Sequence, residues 1–132
     1  MSQENVEVVR EQFEAPNRRD FARPMADWAD DIEVVAREGD INAGTYSGRQ
    51  AVGEFFGRWF RAFGDIHFEA VDMRAAANSV AVAAHHRAEG RQSGIEVADD
   101  FFYEYTLRDG MIVRIKFHNS WSEALEAVGL RE

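Results

Sequence analysis

The sequence contains no cysteine in its 132 residues. Disulfide bonds, thiolate metal sites and cysteine nucleophiles are therefore excluded. The chain also lacks an excess of basic residues, since its net charge at pH 7 is −9. Nucleic acids and anionic membranes are bound by basic patches, so we expect neither a nucleic-acid partner nor a membrane partner.

Long apolar segments are also missing. No apolar stretch approaches the ~20 residues that cross a bilayer. The start of the chain is acidic and lacks the cationic region and apolar run of a signal peptide. We therefore expect a cytoplasmic protein. The length of the chain fits one domain that spans residues 1–132.

Aromatic residues, in contrast, are abundant. The chain has ten Phe, three Trp and three Tyr, and 45% of its residues are hydrophobic. This composition indicates a folded globular chain rather than a disordered one. So many large rings in a small domain predict a thick core, or a core that surrounds a cavity.

The N-terminal part of the chain predicts two helices. An apolar face over residues 3–15 predicts an amphipathic helix, which Pro16 ends. A second, shorter helix is capped by Asp20. Its inward-facing side chains are Phe21, Met25 and Trp28.

The most regular helical pattern lies in the middle of the chain. Ser47 and Gln50 have the spacing of a capping box, and Gly64 supplies a stop signal. Between them runs a wide apolar stripe at helical spacing, formed by Ala51, Val52, Phe55, Phe56, Trp59, Phe60 and Phe63. A second capping box, Ser120 with Glu123, opens a short C-terminal helix.

Alternating apolar residues predict five strands. Residues 38–48 between the first strand and the long helix are predicted to form a loop. The strands are 31–37, 66–76, 79–90, 95–107 and 111–118, with turns at Asn78, Ser93-Gly94 and Asp109-Gly110.

The order of these elements predicts an α+β domain. Two N-terminal helices, a strand and a long helix precede a run of strands and a short C-terminal helix. We expect a curved, mixed and mostly antiparallel sheet that wraps on the long helix as a conical barrel. A cavity between the sheet and the helix would account for the excess of aromatic residues.

Four segments carry a family resemblance. They are Asp-Phe-x-x-x-Met-Ala-Asp-Trp-Ala-Asp-Asp, Tyr-Ser-Gly-Arg-Gln-Ala-Val, Leu-Arg-Asp-Gly-Met-Ile-Val-Arg and Glu-Ala-Leu-Glu-Ala-Val-Gly-Leu. Together they resemble the nuclear transport factor 2-like, ketosteroid isomerase-like superfamily, and within it the SnoaL-like group named for polyketide cyclases. The resemblance covers nearly the whole chain. It implies a conical α+β barrel with one deep pocket, often a homodimer packed through the outer sheet face.

Strand alternation sorts the side chains into an inner and an outer face. The inner set of the last two strands is expected to be Asp99, Phe101, Tyr103, Tyr105, Leu107, Met111, Val113, Ile115, Phe117 and Asn119. The inner set of 79–90 is Val80, Val82, Ala84, His86 and Ala88. Three apolar side chains on the outer face are candidates for a homodimer interface, namely Val71, Met73 and Phe102.

His86 and Asp99 are predicted to be diagonal neighbours on the inner face. A one-residue slip in the register of the hairpin would bring in His85 or Asp100 instead. A carboxylate can orient an imidazole and raise its pKa, which gives an acid–base pair near neutral pH. The alternative is that His86 is a satisfied core histidine, while Asp99 lies at the pocket rim or pairs with Arg87.

The resemblance implies specific roles for some residues. The polyketide cyclases of the family are thought to use a pocket Asp with a His in the same hairpin, and the matching positions are Asp99 and His86. The ketosteroid isomerases use a Tyr and two Asp, whose nearest counterparts here are Phe13, Ala36 and Tyr103. That isomerase activity is therefore not expected. The Asp-Arg-Asp set of the epoxide hydrolases is not expected either, because alternation places no Arg on the inner face.

Two functions are predicted for the pocket. The first is cofactor-free acid–base catalysis of the cyclase or isomerase type on an aromatic or polycyclic ketone-like substrate. Asp99 would act as acid or base, His86 as its partner and Tyr103 as oxyanion donor. The alternative is a non-catalytic ligand-binding or dimerisation module of the same fold.

Aromatic side chains are expected to hold a small apolar or aromatic ligand. Core packing is the alternative role for Phe55 and Trp59. The predicted binding residues are Trp28, Tyr46, Phe55, Trp59, Phe101, Tyr105, Phe117 and Asn119. No metal is expected, because the four His are scattered and neighbouring strand residues point to opposite faces. No cofactor is expected, because a phosphate-binding Gly-rich loop is missing.

Overall fold

A computed structural model describes residues 2–37 and 43–131 of the chain. The described elements are three α-helices, one 3-10 helix and six strands. In chain order they are α1 (Ser2–Asn17), the 3-10 helix (Arg23–Asp27), β1 (Trp28–Val35), β2 (Thr45–Ser47), α2 (Arg49–Ala62), β3 (Phe63–Ala76), β4 (Ser79–Gly90), β5 (Glu96–Arg108), β6 (Met111–His118) and α3 (Trp121–Ala127). None of the described helices is long and apolar enough to cross a membrane.

The six strands form one mixed sheet in the order β2-β1-β6-β5-β4-β3. Strands β1 and β6 run parallel, and the other neighbouring strands run antiparallel. The predicted α+β class and the mostly antiparallel sheet are confirmed. The described sheet stays open, with β2 and β3 as its outermost strands, rather than closing into a barrel.

The main core lies between the inner face of the sheet and the helices α1 and α2. Its fully buried side chains include Val9 on α1, Val52 on α2, and Ile32, Val80 and Val82 on the sheet. Each buried side chain of this size contributes ~1.5–3 kcal/mol. The opposite face of the sheet is covered in part by α3, whose Ala124 and Leu125 pack in a smaller cluster with Ala81.

The N-terminal elements differ in detail from the prediction. Helix α1 continues through Pro16 to Asn17. Asp20 does accept a hydrogen bond from the backbone N–H of Arg23 at 3.1 Å, but the segment that follows is a 3-10 helix. Trp28 begins β1 instead of lying on a second α-helix.

The predicted loop over 38–48 is only partly described. Residues 38–42 lie outside the described residues, and Thr45–Ser47 forms β2, an edge strand that pairs with β1. The capping box predicted at Ser47 does not form. The N-cap of α2 is Gly48, with φ 91° and no side-chain cap, because Ser47 is held in the strand.

The C-terminal capping box forms as predicted. The Ser120 hydroxyl accepts a hydrogen bond from the Glu123 backbone N–H at 3.1 Å. The Glu123 carboxylate in turn accepts one from the Asn119 N–H at 3.0 Å. Gly64 is not a helix stop, since α2 ends at Ala62 and Gly64 lies within β3.

Two irregularities in the strands overturn part of the predicted alternation. The register of β3 shifts between Ala70 and Asp72, which turns Met73 inward onto the main core. The register of β6 shifts near Val113, so Ile112 rather than Met111 or Val113 is fully buried. A bulge adds one residue to a strand and therefore reverses the faces beyond it.

Only one of the three predicted dimerisation side chains remains freely exposed. Val71 is 65% exposed at the irregularity of β3. Phe102 is half-buried and packs beside Trp121, with ring centroids 6.5 Å apart, and Met73 faces the core. Helix α3 thus covers part of the outer face that the sequence suggested for an interface.

Candidate functional site

A cavity of about 260 Å³ lies between the inner face of the sheet and the helices. Ligand pockets usually measure ~300–1,000 Å³, so this cavity lies just below that range and has room only for a small molecule. None of its described lining residues is Asp, Glu, Lys or Arg. The lining consists of Gln12, Phe13, Pro16, Phe21, Pro24, Met25, Trp28, Gly53, Phe55, Phe56, Gly57, Trp59, Phe60, Phe68, His86, Tyr103, Tyr105 and Phe117.

A hydrogen bond joins His86 and Tyr103 inside this cavity. Nε2 of His86 lies 2.7 Å from the Tyr103 hydroxyl. The two residues stand on the inner faces of β4 and β5, and the pair Ala84 and Phe101 lies between them in the register. The small side chain of Ala84 leaves room for the imidazole to reach along the sheet.

His86 is enclosed by aromatic rings and is only 5% exposed. The ring centroids of Phe68 and Phe101 lie 4.3 Å and 4.7 Å from that of His86, with Phe13 and Trp59 slightly farther away. Burial lowers the pKa of His86 from 6.5 to about 3, with the nearby charge of His85 acting in the same direction. The imidazole is therefore neutral at pH 7, in contrast to the raised pKa expected from a carboxylate neighbour.

The second ring nitrogen of His86 has no hydrogen-bond partner among the described residues. Nδ1 is buried, like the rest of the imidazole. A buried polar atom without a partner costs free energy. Since His86 lines the cavity, its imidazole is a polar group of the cavity wall that keeps one hydrogen-bonding atom unused.

Tyr103 and Tyr105 are protonated phenols in this environment. Burial raises the pKa of each above its usual value of 10. The positive charge of Arg37 opposes this effect at Tyr103. Neutral phenols can donate a hydrogen bond at any physiological pH.

Gln12 and Trp28 connect the N-terminal elements at the cavity wall. The Trp28 indole N–H donates to the Gln12 side-chain oxygen at 3.0 Å. The Gln12 amide donates to the Pro24 carbonyl, also at 3.0 Å. These bonds fix the 3-10 helix against α1 and satisfy the buried polar groups of this wall.

Asp99 and His86 are direct partners in the register of β4 and β5. Their side chains nevertheless lie in different environments, since that of His86 is buried and that of Asp99 is exposed. The Asp99 carboxylate is 62% exposed and lies 4.0 Å from the Arg37 guanidinium. It is not among the described residues that line the cavity. The structure thus aligns Asp99 with His86 while the hydrogen bond of His86 goes to Tyr103.

Arg37 corrects the expectation that the inner side lacks an arginine. Its guanidinium lies over the Phe101 ring, 5.4 Å from the ring centroid, a cation–π distance. Strand β1 ends at Val35, so alternation no longer controls where Arg37 points. Its charge is close enough to influence Tyr103.

The alternative pair, His85 and Asp100, lies on the outer face of the same hairpin. Nδ1 of His85 is 2.8 Å from the Asp100 carboxylate, and the two side chains are 37% and 68% exposed. A carboxylate–imidazole pair therefore exists one residue away from the predicted one, but on the surface rather than in the cavity.

The structure places five of the eight predicted binding residues in the cavity wall. They are Trp28, Phe55, Trp59, Tyr105 and Phe117. Phe101 is buried beside His86 but is not among the described lining residues. Tyr46 packs against Phe55, with centroids 4.9 Å apart, and Arg58 lies over its ring. Asn119 is exposed, which contradicts its predicted inner position because β6 ends at His118.

Several lining residues were not predicted as site residues. Gln12 interrupts the apolar face of α1 beside Phe13, and a polar residue in that position is a signal that sequence inspection can detect. Gly53 and Gly57 lie one helical turn apart on α2 and gave no such signal, because glycine is usually noted only at turns. Among the described residues, no group of three or more His, Asp and Glu could hold a metal ion.

Solved structures with this fold match the chain at low sequence identity, among them the following three. A nuclear transport factor 2-like protein of unknown function from Burkholderia pseudomallei is 20% identical with a TM-score of 0.77, covering 96% of this chain and 98% of that one. TerC, co-crystallized with polyporic acid, is 20% identical with a TM-score of 0.76, covering 95% and 97%. AclR from Streptomyces galilaeus is 19% identical with a TM-score of 0.78, covering 98% and 87%.

The family assignment comes from the sequence match. No curated protein matches the chain. The model of the SnoaL-like domain, however, matches residues 9–115, which is most of the chain, and the solved structures show the same architecture. The chain therefore belongs to the SnoaL-like family, and its fold is that of solved nuclear transport factor 2-like proteins.

Proposed function

We propose that this protein binds a small, uncharged aromatic or polycyclic molecule that carries one carbonyl or hydroxyl oxygen. The observation that carries the proposal is the buried hydrogen bond between His86 and Tyr103 in a cavity otherwise lined mainly by apolar side chains. Apolar walls with a few convergent polar groups are typical of small-molecule sites. The rings hold the ligand, and the polar pair orients it.

The charge of the cavity wall favours a neutral ligand. The described lining residues carry no ionised side chain, and His86 is neutral because burial lowers its pKa to about 3. An ionised ligand would lose its hydration without gaining an opposite charge, which is costly in a buried site. A ketone, phenol or quinone-like oxygen needs only a hydrogen bond.

The tautomer of His86 determines which hydrogen bond the site offers. If Nε2–H donates to the Tyr103 oxygen, the phenol hydrogen is free to donate to a ligand carbonyl, and Nδ1 is an acceptor. If the phenol donates to Nε2, then Nδ1–H is the donor. In both arrangements one donor of the pair is available to an oxygen atom of the ligand.

A matched pair of probes tests the proposal. We expect 2-acetylnaphthalene to raise the melting temperature by several degrees, since a ligand present at ~100 Kd adds ~2.7 kcal/mol. The carboxylate 2-naphthoate, of similar size and shape, should give no shift. Equal shifts from both probes, or none from either, would contradict the proposed ligand class.

A second candidate function is acid–base catalysis on a ketone, as cyclases and isomerases perform it. The favouring observation is that a phenol and an imidazole share one hydrogen bond of 2.7 Å, so a donor to the carbonyl and an acceptor for a proton lie side by side. The low pKa of His86 makes it a weak base. Ligand binding is therefore better supported as the function than acid–base catalysis. Incubation of 2-acetylnaphthalene with the protein in deuterated water tests for catalysis. NMR would then show the methyl protons exchanging for deuterium faster than they do without protein.

A further inference from the structure

Helix α2 carries two glycines inside its length, Gly53 and Gly57. Four residues apart, they lie on the same face of the helix, and both line the cavity. Glycine is less favourable than alanine inside a helix, because it loses more backbone freedom on folding. A face of two glycines therefore lowers the stability of the helix that forms this wall.

Packing of the protein itself does not require glycine at these positions. A methyl group on Gly53 would meet Cε of Met25 at 3.6 Å, an ordinary van der Waals contact. A methyl group on Gly57 would meet the end of the Arg61 side chain at 3.0 Å, and Arg61 is exposed and can shift. Apart from these ends of Met25 and Arg61, no other described atom outside the helix backbone lies within 4 Å of either added methyl group. Most of the space beside this face of the helix is therefore open.

An independent feature of the same cavity points to a ligand. His86 is 95% buried, given its exposure of 5%, and its Nδ1 has no hydrogen-bond partner among the described residues. The cavity thus combines a polar atom that needs a partner with open space along one helix.

We propose that Gly53 and Gly57 determine the size of the ligand that the cavity admits. The ring system of the ligand lies against the bare backbone of α2, while its oxygen meets the His86–Tyr103 pair. This inference rests on the proposed function. It adds that Gly53 and Gly57 set the largest ring system that the cavity can hold.

The double variant Gly53→Ala/Gly57→Ala tests this inference with two ketones of different size. We expect its affinity for 2-acetylnaphthalene, measured by isothermal titration calorimetry, to fall about tenfold or more, since extra methyl groups in a packed site are poorly tolerated. Its affinity for the smaller acetophenone should stay within about twofold of the wild type. The melting temperature without ligand should rise by about 3 °C or more, because alanine favours the helix.

Gly64→Ala is the matched control. Gly64 lies in β3 and is not among the described lining residues, so the same added methyl group should leave the affinities for both ketones unchanged. If the double variant binds 2-acetylnaphthalene as tightly as the wild type, the inference is wrong and the proposed function stands. If the wild type binds neither ketone, both are wrong. A double variant that melts lower than the wild type would show that the glycines serve packing, which also overturns the inference.

Discussion

His86 forms its hydrogen bond with Tyr103, although its direct partner across the strands is Asp99. The imidazole turns along the inner face toward the phenol, which is buried, and away from the carboxylate, which is 62% exposed. This choice gives the cavity a neutral polar pair in place of an ionised one.

Acidification should destabilise the protein through His86. Burial lowers the pKa of His86 from 6.5 to about 3, so between these values the unfolded chain binds a proton that the folded chain does not. Stability therefore falls as pH drops below 6.5, at up to ~1.4 kcal/mol per pH unit from this residue. Urea denaturation at pH 6.5 and pH 5.0 should show a loss about 2 kcal/mol smaller in His86→Phe than in the wild type.

The control for this pH effect is His67→Gln. His67 is exposed, so this variant should lose as much stability on acidification as the wild type. Equal losses in His86→Phe and the wild type would contradict a neutral, buried imidazole.

Tyr103→Phe and Asp99→Asn compare the contributions of the His86–Tyr103 pair and of Asp99 to stability and ligand binding. Removing the Tyr103 hydroxyl leaves Nε2 of His86 unpaired, which should cost ~1–3 kcal/mol of stability and weaken ketone binding about tenfold. Asp99→Asn should change stability by less than ~1 kcal/mol, because Asp99 is mostly exposed and screened by water. Calorimetric titration with 2-acetylnaphthalene measures the effect on binding.

The acid–base role of Asp99 stays a prediction, and the same variants test it. If the protein exchanges the methyl protons of the ketone, a rate that falls in both Asp99→Asn and Tyr103→Phe would favour the roles inferred from the sequence. A rate that falls in Tyr103→Phe but not in Asp99→Asn would assign the chemistry to the His86–Tyr103 pair.

Glu104 and His118 form a largely buried pair on the outer face of the sheet. His118 Nε2 lies 2.9 Å from the Glu104 carboxylate, and each side chain is only 10% exposed. Glu104→Ala should cost ~2 kcal/mol, because it removes the acceptor of a buried polar group. Arg108→Ala breaks the exposed pair with Asp31 at 2.9 Å and should cost much less stability, because water screens this pair. Similar urea midpoints for the two variants would refute this difference in burial.

Ser120 and Ser47 have the same sequence pattern but should respond differently to substitution. Ser120→Ala removes the side-chain cap of α3 and should cost ~1 kcal/mol. Ser47→Ala should be nearly neutral, because the N-cap of α2 is Gly48. Thermal melts of the two variants check this, and an equal loss in both would mean that Ser47 also caps a helix.

A homodimer packed through the outer sheet face stays a prediction as well. Val71 is 65% exposed there, and burying it against a second copy would remove apolar surface from water. Light scattering should give the mass of two chains for the wild type and a lower average mass for Val71→Asp. A wild-type mass of one chain would exclude the dimer.

The strands of the last hairpins were predictable because alternation is a local property. Side chains of a strand point to opposite faces in turn, which was enough to place His86 and Tyr103 inside together. Where an extra residue enters a strand, as near Val71 and Val113, the same rule fails. Nothing in the local residue pattern indicates such a bulge, because a bulge depends on how the backbone pairs with the neighbouring strand.

The sequence by itself determined the α+β class, the aromatic cavity and the inner position of the imidazole, because residue spacing controls which side of an element each side chain takes. Only the tertiary structure decided that His86 bonds to Tyr103, that Asp99 turns to Arg37, and that two glycines of α2 face the cavity. Those contacts join residues far apart in the chain or on neighbouring strands. These contacts depend on how much space neighbouring side chains such as Ala84 leave and on how deeply each residue is buried. A short segment of sequence determines neither of these.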